Sequence, residues 1–214
     1  RSPAITEHYS SSAARGPKTI KKAEPVNRKT AEEWVSTIKE FALSHEGDDI
    51  RITTMNPLYV YEGYEIEEPW VIIIGVTMDH VTLDKVPATL ENPDSPAEVA
   101  RQYNRAARVC RELANFILSK GYFAKPWAGP FASALSMVPA AIDAGMGTLG
   151  KHGSLIHGEF GSSFRLSAVT TDMPLVEDQI RDIGSEDFCK NCQICVKACP
   201  PAAIFPEKKM VRGV

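Results

Sequence analysis

Apolar and polar positions change period several times along this chain, and each change marks an element. Residues 1–29 carry few large apolar groups among their Ser, Ala, Lys and Pro, which predicts an extended arm over the surface. Thr30 and Glu33 then form a capping-box pair, and Trp34, Val35, Ile38, Phe41 and Ala42 recur at helical spacing, so an amphipathic helix starts there. Strands are expected over 49–55 and 70–78. The second is β-branched and almost wholly apolar, as a central strand covered on both faces requires. Ser95, Pro96 and Glu98 combine a capping box with a first-turn proline. They announce a long helix to about Lys120 whose apolar stripe includes Val99, Tyr103, Ala107, Cys110, Leu113 and Ile117, with Gly121 as its stop. A shorter helix is expected over 131–144, then a glycine-rich stretch over 145–161, then a strand over 164–170. Mixed order of this kind predicts an α/β or α+β core over residues 30–175, followed by a small separate unit over 176–214.

Composition adds limits rather than detail. The chain has 214 residues, 43% hydrophobic and 24% charged, enough for a sizeable core. No apolar run reaches 18 residues, so this stretch is expected to hold no membrane segment. A formal charge of -3 gives no chain-wide attraction to phosphate backbones, and no nucleic-acid partner is expected. The chain opens at Arg1 and stops at Val214, 15 residues beyond Cys199, and so reads as a fragment whose leader peptide, if any, lies elsewhere. Four of the five cysteines fall within eleven positions at metal-ligand spacing. That usage suits a reducing interior, so a cytoplasmic location is expected.

The densest chemistry is Cys189, Cys192, Cys195 and Cys199, followed by Pro200. Spacing of two, two and three residues lets one tight loop wrap three soft thiolates around an iron–sulfur cubane while a short helix carries the fourth. Zinc sites usually split their ligands into two separated pairs, which this run does not do. In two-cluster ferredoxins the fourth cysteine serves the other cluster, so either Cys199 completes a single site here or the partner cysteines lie beyond Val214; the stop at Val214 favours the second, and a Cys-x2-Cys-x3-Cys-Pro run is expected there. Cys110 sits on the helix stripe and reads as a small buried hydrophobe. The segment Gly145-Met146-Gly147-Thr148-Leu149-Gly150 matches the dinucleotide fingerprint, but a helix precedes it and no helix follows. Its glycines instead permit close backbone approach to a bulky ligand, or positive φ in a loop.

Blocks in this order resemble the cobalamin-dependent reductive dehalogenases: 144–153 with the glycines, Glu159-Phe160-Gly161, Phe164-Arg165-Leu166, Thr171-Asp172-Met173-Pro174-Leu175 and the cysteine run. The resemblance is strongest over 97–212. The epoxyqueuosine reductases, a sister branch acting on tRNA, share the glycine block, the Glu-Phe-Gly element and the cysteines. The resemblance implies a nitroreductase-like domain cradling a corrinoid, then a ferredoxin-like domain with two [4Fe–4S] clusters in the whole protein. It also implies an organohalide substrate and an external electron donor such as a ferredoxin, flavodoxin or reductase. The corrinoid is expected without a protein ligand beneath its metal, and Asp79-His80 does not match the Asp-x-His-x-x-Gly motif that would supply one.

The family's tyrosine and basic residue fall on Tyr103 and Arg165 here. When a carbon–halogen bond is reduced the carbon needs a proton, which a phenol supplies; a neighbouring guanidinium stabilises the phenolate left behind and the departing halide. Read without the family, Tyr103 is a buried tyrosine with one hydrogen bond and Arg165 a solvent-facing arginine. Gly145, Gly147, Gly150, Lys151, His152 and His157 are the expected corrinoid contacts. Two other functions stay open at the level of sequence: an epoxyqueuosine reductase, and an electron-transfer module without chemistry of its own.

Overall fold

The computed structural model describes residues 15–24, 29–129 and 134–207. Its centre is a four-stranded sheet built from β1 (Asp49–Thr54), β2 (Trp70–Thr77), β3 (Ala124–Ala128) and β6 (Phe164–Thr171). The spatial order is β1-β2-β6-β3, and every pairing is antiparallel. This is an α+β arrangement. β2 alternates strictly, and both of its faces are covered. Ile72, Ile74 and Val76 pack under α1 (Ala31–Ser44) and α3 (Asp94–Ser119), while Val71 and Ile73 pack beneath α4 (Met137–Asp143) and its neighbours. A β-strand points successive side chains to opposite faces, so a continuous apolar run has to be roofed twice.

Local signals place most elements. The Thr30–Glu33 capping box forms, with both reciprocal hydrogen bonds present. The box expected at Ser95 does not form: α3 starts at Asp94, two residues before Pro96, without a side-chain cap. Glu98 is instead buried at 2% exposure, accepting from the Asp79 N–H at 2.9 Å, from Gln102 at 2.9 Å and from Arg101. A carboxylate with three donors is better satisfied there than on its own helix terminus. Asp79 caps α2 (His80–Leu83) through Val81 and Thr82.

Two departures fall between β3 and β6. The helix expected over 131–144 is confined among the described residues to Met137–Asp143, because Leu135 is drawn into a bridge with Val60. Residues 131–133 lie outside the described residues. Within the glycine-rich stretch a small hairpin forms from β4 (Thr148–Leu149) and β5 (Leu155–Ile156). Of the N-terminal arm, residues 15–24 are described. They lie across α3: the Asn115 side chain accepts from Ile20 N–H at 3.1 Å and donates to the Lys18 carbonyl at 2.9 Å, and Ala23 N–H donates to the Leu118 carbonyl. The cysteines fall on α5 (Ser185–Cys192) and α6 (Ile194–Ala198). Among the described residues, no helix is long and apolar enough to cross a membrane.

Candidate functional site

Tyr103 and Arg165 meet. In β6, Phe164 and Ala168 face the α4 side and Val169 the α3 side, so Arg165 points toward α3. Its guanidinium carbon lies 4.8 Å from the centre of the Tyr103 ring, within cation–π range. The Arg165 Nε is buried with no hydrogen-bond partner, and so is Ser167 Oγ on the same face of the strand. Tyr103 lines a hollow of about 430 Å³ between α3, the β3 edge and the arm, bounded also by Asn104, Arg111, Gly129, Arg15 and Lys18. An added Cβ on Gly129 would stand 3.7 Å from the Tyr103 ring, in ordinary van der Waals contact with it.

The other expected contacts lie apart from this pair. Gly150, Lys151 and His152 line a second cleft of about 800 Å³, bounded as well by Cys189, Lys190 and Phe205; it shares no lining residue with the Tyr103 hollow. Lys151 Nζ donates to the Pro206 carbonyl, joining the glycine hairpin to the end of the cysteine segment. His152 accepts from Ser154 N–H at 3.0 Å and lies 3.2 Å from Ser162 Oγ. His157 is committed to the fold. Its Nε2 is 3.1 Å from Asp49, its Nδ1 accepts from the N–H groups of Glu159 and Phe160, and its ring stacks on Phe160 at 4.0 Å. The approach permitted by the glycines is to this chain's own backbone. A Cβ on Gly145 would fall 2.1 Å from the Gln179 carbonyl oxygen, and one on Gly147 2.2 Å from that of Ile156.

The cysteine segment is fastened to the sheet at several points. Asp178 accepts from Ile52 N–H at 2.9 Å and returns its own N–H to the Ile52 carbonyl at 2.8 Å, and Thr148 bonds Ser185 at the start of α5. Gln193, at φ +53°, turns the chain between α5 and α6 and donates to the carbonyls of Cys189 and Lys190. All four thiols are half-buried, and the Cys199 sulfur accepts from Ala203 N–H at 3.3 Å. Backbone donation to sulfur suits a thiolate ligand. Among the described residues, no three His, Cys, Asp or Glu side chains converge on one point as a single-ion site. Metal binding and local folding are coupled, and thiolates repel until a metal centre gathers them. Cys110 is a buried hydrophobe, as its place on the stripe suggests: burial pushes its thiol up to about 12.

Together these features describe an α+β sheet domain with a cysteine-rich appendage and a tyrosine–arginine hollow. No family model matches the chain. The tetrachloroethene reductive dehalogenase of Dehalobacter restrictus is 34% identical over 148 residues, 69% of this chain and 25% of that protein. A solved reductive dehalogenase, described as suggesting a mechanism for B12-dependent dehalogenation, superposes with a TM-score of 0.76 at 22% identity, covering 94% of this chain and 30% of its own. The epoxyqueuosine reductase of Listeria monocytogenes is 40% identical over 76 residues, 36% of this chain and 19% of that protein. The chain is homologous to the reductive dehalogenases and, over a shorter stretch, to the epoxyqueuosine reductases. It spans about a quarter of the length of the curated dehalogenases it matches.

Proposed function

We propose that this chain is part of a reductive dehalogenase: an oxidoreductase that replaces a halogen on an organic substrate by hydrogen, consuming two electrons and one proton and releasing halide. The observation that carries the reading is the extent of the match, since dehalogenase similarity runs over 69% of the chain and epoxyqueuosine reductase similarity over 36%. The contact between Tyr103 and Arg165 supports it from the side of chemistry.

The donor sets suit the two cofactors that the resemblance implies. Four closely spaced thiols are the soft ligands an iron–sulfur cluster requires. The cleft of about 800 Å³ beside Cys189 falls in the size range of cofactor pockets, and the Lys151 ammonium and His152 imidazole offer polar groups to corrinoid amides and phosphate. A bound corrinoid would supply electrons to the carbon–halogen bond. Tyr103 would hold the proton on its phenol oxygen and give it to the substrate carbon. Arg165, whose guanidinium lies 4.8 Å from the Tyr103 ring centre, would stabilise the resulting phenolate and the halide. Residues 30–175 would form the cofactor and substrate domain and 176–214 the cluster domain.

The test is halide release from a halophenol by anaerobically reconstituted protein. Tyr103→Phe should slow release roughly a hundred- to ten-thousandfold, the range for a positioned general acid, while the protein still binds the halophenol. A variant that releases halide at the full rate removes Tyr103 from the reaction.

A further inference from the structure

We infer that Asp178 is a positioning residue: by occupying both outward backbone groups of Ile52 on the open edge of β1, it fixes the cysteine segment against the sheet and so sets where Cys189 stands across the cleft from the glycine hairpin. The hold follows from the geometry; its part in catalysis rests on the dehalogenase reading. β1 ends the sheet order and pairs with β2 alone, so its outer N–H and C=O groups face no strand of the sheet. Such an edge is open to any segment that supplies a matching donor and acceptor. Asp178 supplies both. Its Oδ2 accepts from Ile52 N–H at 2.9 Å, and its own N–H donates to the Ile52 carbonyl at 2.8 Å. Its other oxygen, Oδ1, accepts from Lys39 of α1 at 2.5 Å, in a pair whose side chains are 27% exposed for Lys39 and 18% for Asp178. One residue therefore ties the connector both to the sheet and to a helix that covers it.

The rest of the connector has little else to hold it. Between Leu175 and Ser185 every residue is exposed except Asp178 and Ile183. Segments with so little burial open at low free-energy cost unless something polar fastens them. Two further contacts are steric: the Gln179 carbonyl fills the space a Gly145 side chain would need, and Ile183 lies 3.7 Å from the Cβ position of Gly158. Contacts of that kind limit how near the connector comes, whereas the paired hydrogen bonds and the charge on Asp178 keep it there. Past the connector, Ser185 bonds Thr148 and the Pro206 carbonyl accepts from Lys151, so the cysteine segment and the hairpin become the two walls of the cleft of about 800 Å³. A shift at Asp178 moves the cysteine wall. Displacing reacting groups by about 1 Å lowers a rate roughly a hundredfold.

The experiment compares Asp178→Ala and Asp178→Asn with the unaltered protein, each reconstituted anaerobically with iron, sulfide and cobalamin. Asparagine keeps an acceptor for Ile52 N–H and loses only the charge that faces Lys39. Hydrogen exchange at the Ile52 amide and over residues 176–184 should quicken roughly ten- to a hundredfold in Asp178→Ala and far less in Asp178→Asn, with the β2 amides unchanged. Pulsed electron paramagnetic resonance between the reduced cluster and cobalt(II) cobalamin should give one narrow distance in the unaltered protein and in Asp178→Asn. Asp178→Ala should give a broad spread at the same iron and cobalt content, and its halide release from a halophenol should fall roughly ten- to a hundredfold with KM unchanged. A residue that only stabilised the fold would lower the melting temperature and leave the distance distribution narrow. An unchanged distance distribution in Asp178→Ala, or no quickening at Ile52, overturns the inference. Full-rate halide release by Asp178→Ala keeps the dehalogenase and removes the positioning role. Faster exchange at Ile52 and over 176–184 in a protein that retains no cobalamin keeps the hold on the cysteine segment and removes the dehalogenase.

Discussion

Gly145→Ala is the sharpest probe of how the glycine stretch joins the cysteine segment to the sheet. Gly145 combines two requirements: a φ of +73°, and a backbone approach that leaves 2.1 Å between an added Cβ and the Gln179 carbonyl oxygen. Two other glycines separate these effects. Gly63, at φ +85°, has nothing within 4 Å of its Cβ position, whereas Gly147 needs no positive φ but would meet the Ile156 carbonyl at 2.2 Å. A side chain in the left-handed region costs about 1–2 kcal/mol, and forcing a methyl into a packed site about 1–3 kcal/mol. Gly63→Ala should therefore cost about 1 kcal/mol and Gly147→Ala about 3 kcal/mol. Gly145→Ala, which bears both, should cost about 4 kcal/mol. At about 2–4 °C per kcal/mol for a chain of this size, melting temperatures should fall by roughly 3 °C for Gly63→Ala and by roughly 8–16 °C for Gly145→Ala. Thermal melts followed by circular dichroism give all three values. If Gly145→Ala melts with Gly63→Ala, the close approach to Gln179 is not part of the fold.

Further outcomes are expected elsewhere. Glu98→Ala removes a buried carboxylate that accepts from the Asp79 N–H, Gln102 and Arg101 and should cost about 1–3 kcal/mol in urea unfolding, whereas Lys85→Ala, which breaks an exposed ion pair with Asp94, should cost under about 1 kcal/mol. Stability should fall at high pH. Burial holds the Cys110 thiol at about 12 against an ordinary 9.0, and burial with Asp143 holds the Tyr59 phenol at about 12 against 10.0. Both groups keep their protons in the fold. The unfolded chain releases them above about pH 9, so stability complete below pH 9 is lost progressively toward pH 12, as denaturant midpoints across that range would show. At the acid end, burial works to raise the Asp48 carboxyl but Thr77 and Arg105 outweigh it and hold it below 3.8. Its contribution is present above that pH and lost as pH falls below, and Asp48→Asn should flatten the acid limb of the same curve.

The elements legible in the sequence are those whose burial pattern is simple. β2 shows its two roofs as an unbroken apolar run, and the Thr30–Glu33 box marks the start of α1 within a residue. β3 escaped notice because Lys125 and Pro126 dilute its five residues; proline is tolerated there because β3 is an edge strand with one side unpaired. Glu98 was misplaced for a different reason: local spacing offered a cap, while tertiary packing supplied three better donors. In the candidate site, the encounter of Tyr103 with Arg165 follows from strand alternation once α3 is known to cover that face, a long-range fact that no local period carries. His157 illustrates the converse. Two backbone donors and Asp49 occupy its nitrogens, and nothing in the spacing of a loop histidine foretells those partners.

Metal and cofactor content of the anaerobically reconstituted protein bears most directly on the central claim. After incubation with iron, sulfide and cobalamin, the desalted protein should retain iron and acid-labile sulfide in equal amounts, together with stoichiometric cobalt and overlapping corrinoid and iron–sulfur absorption. Cys192→Ser should abolish the iron and sulfide. Stoichiometric zinc in place of iron, or failure to retain any cobalt, contradicts the account.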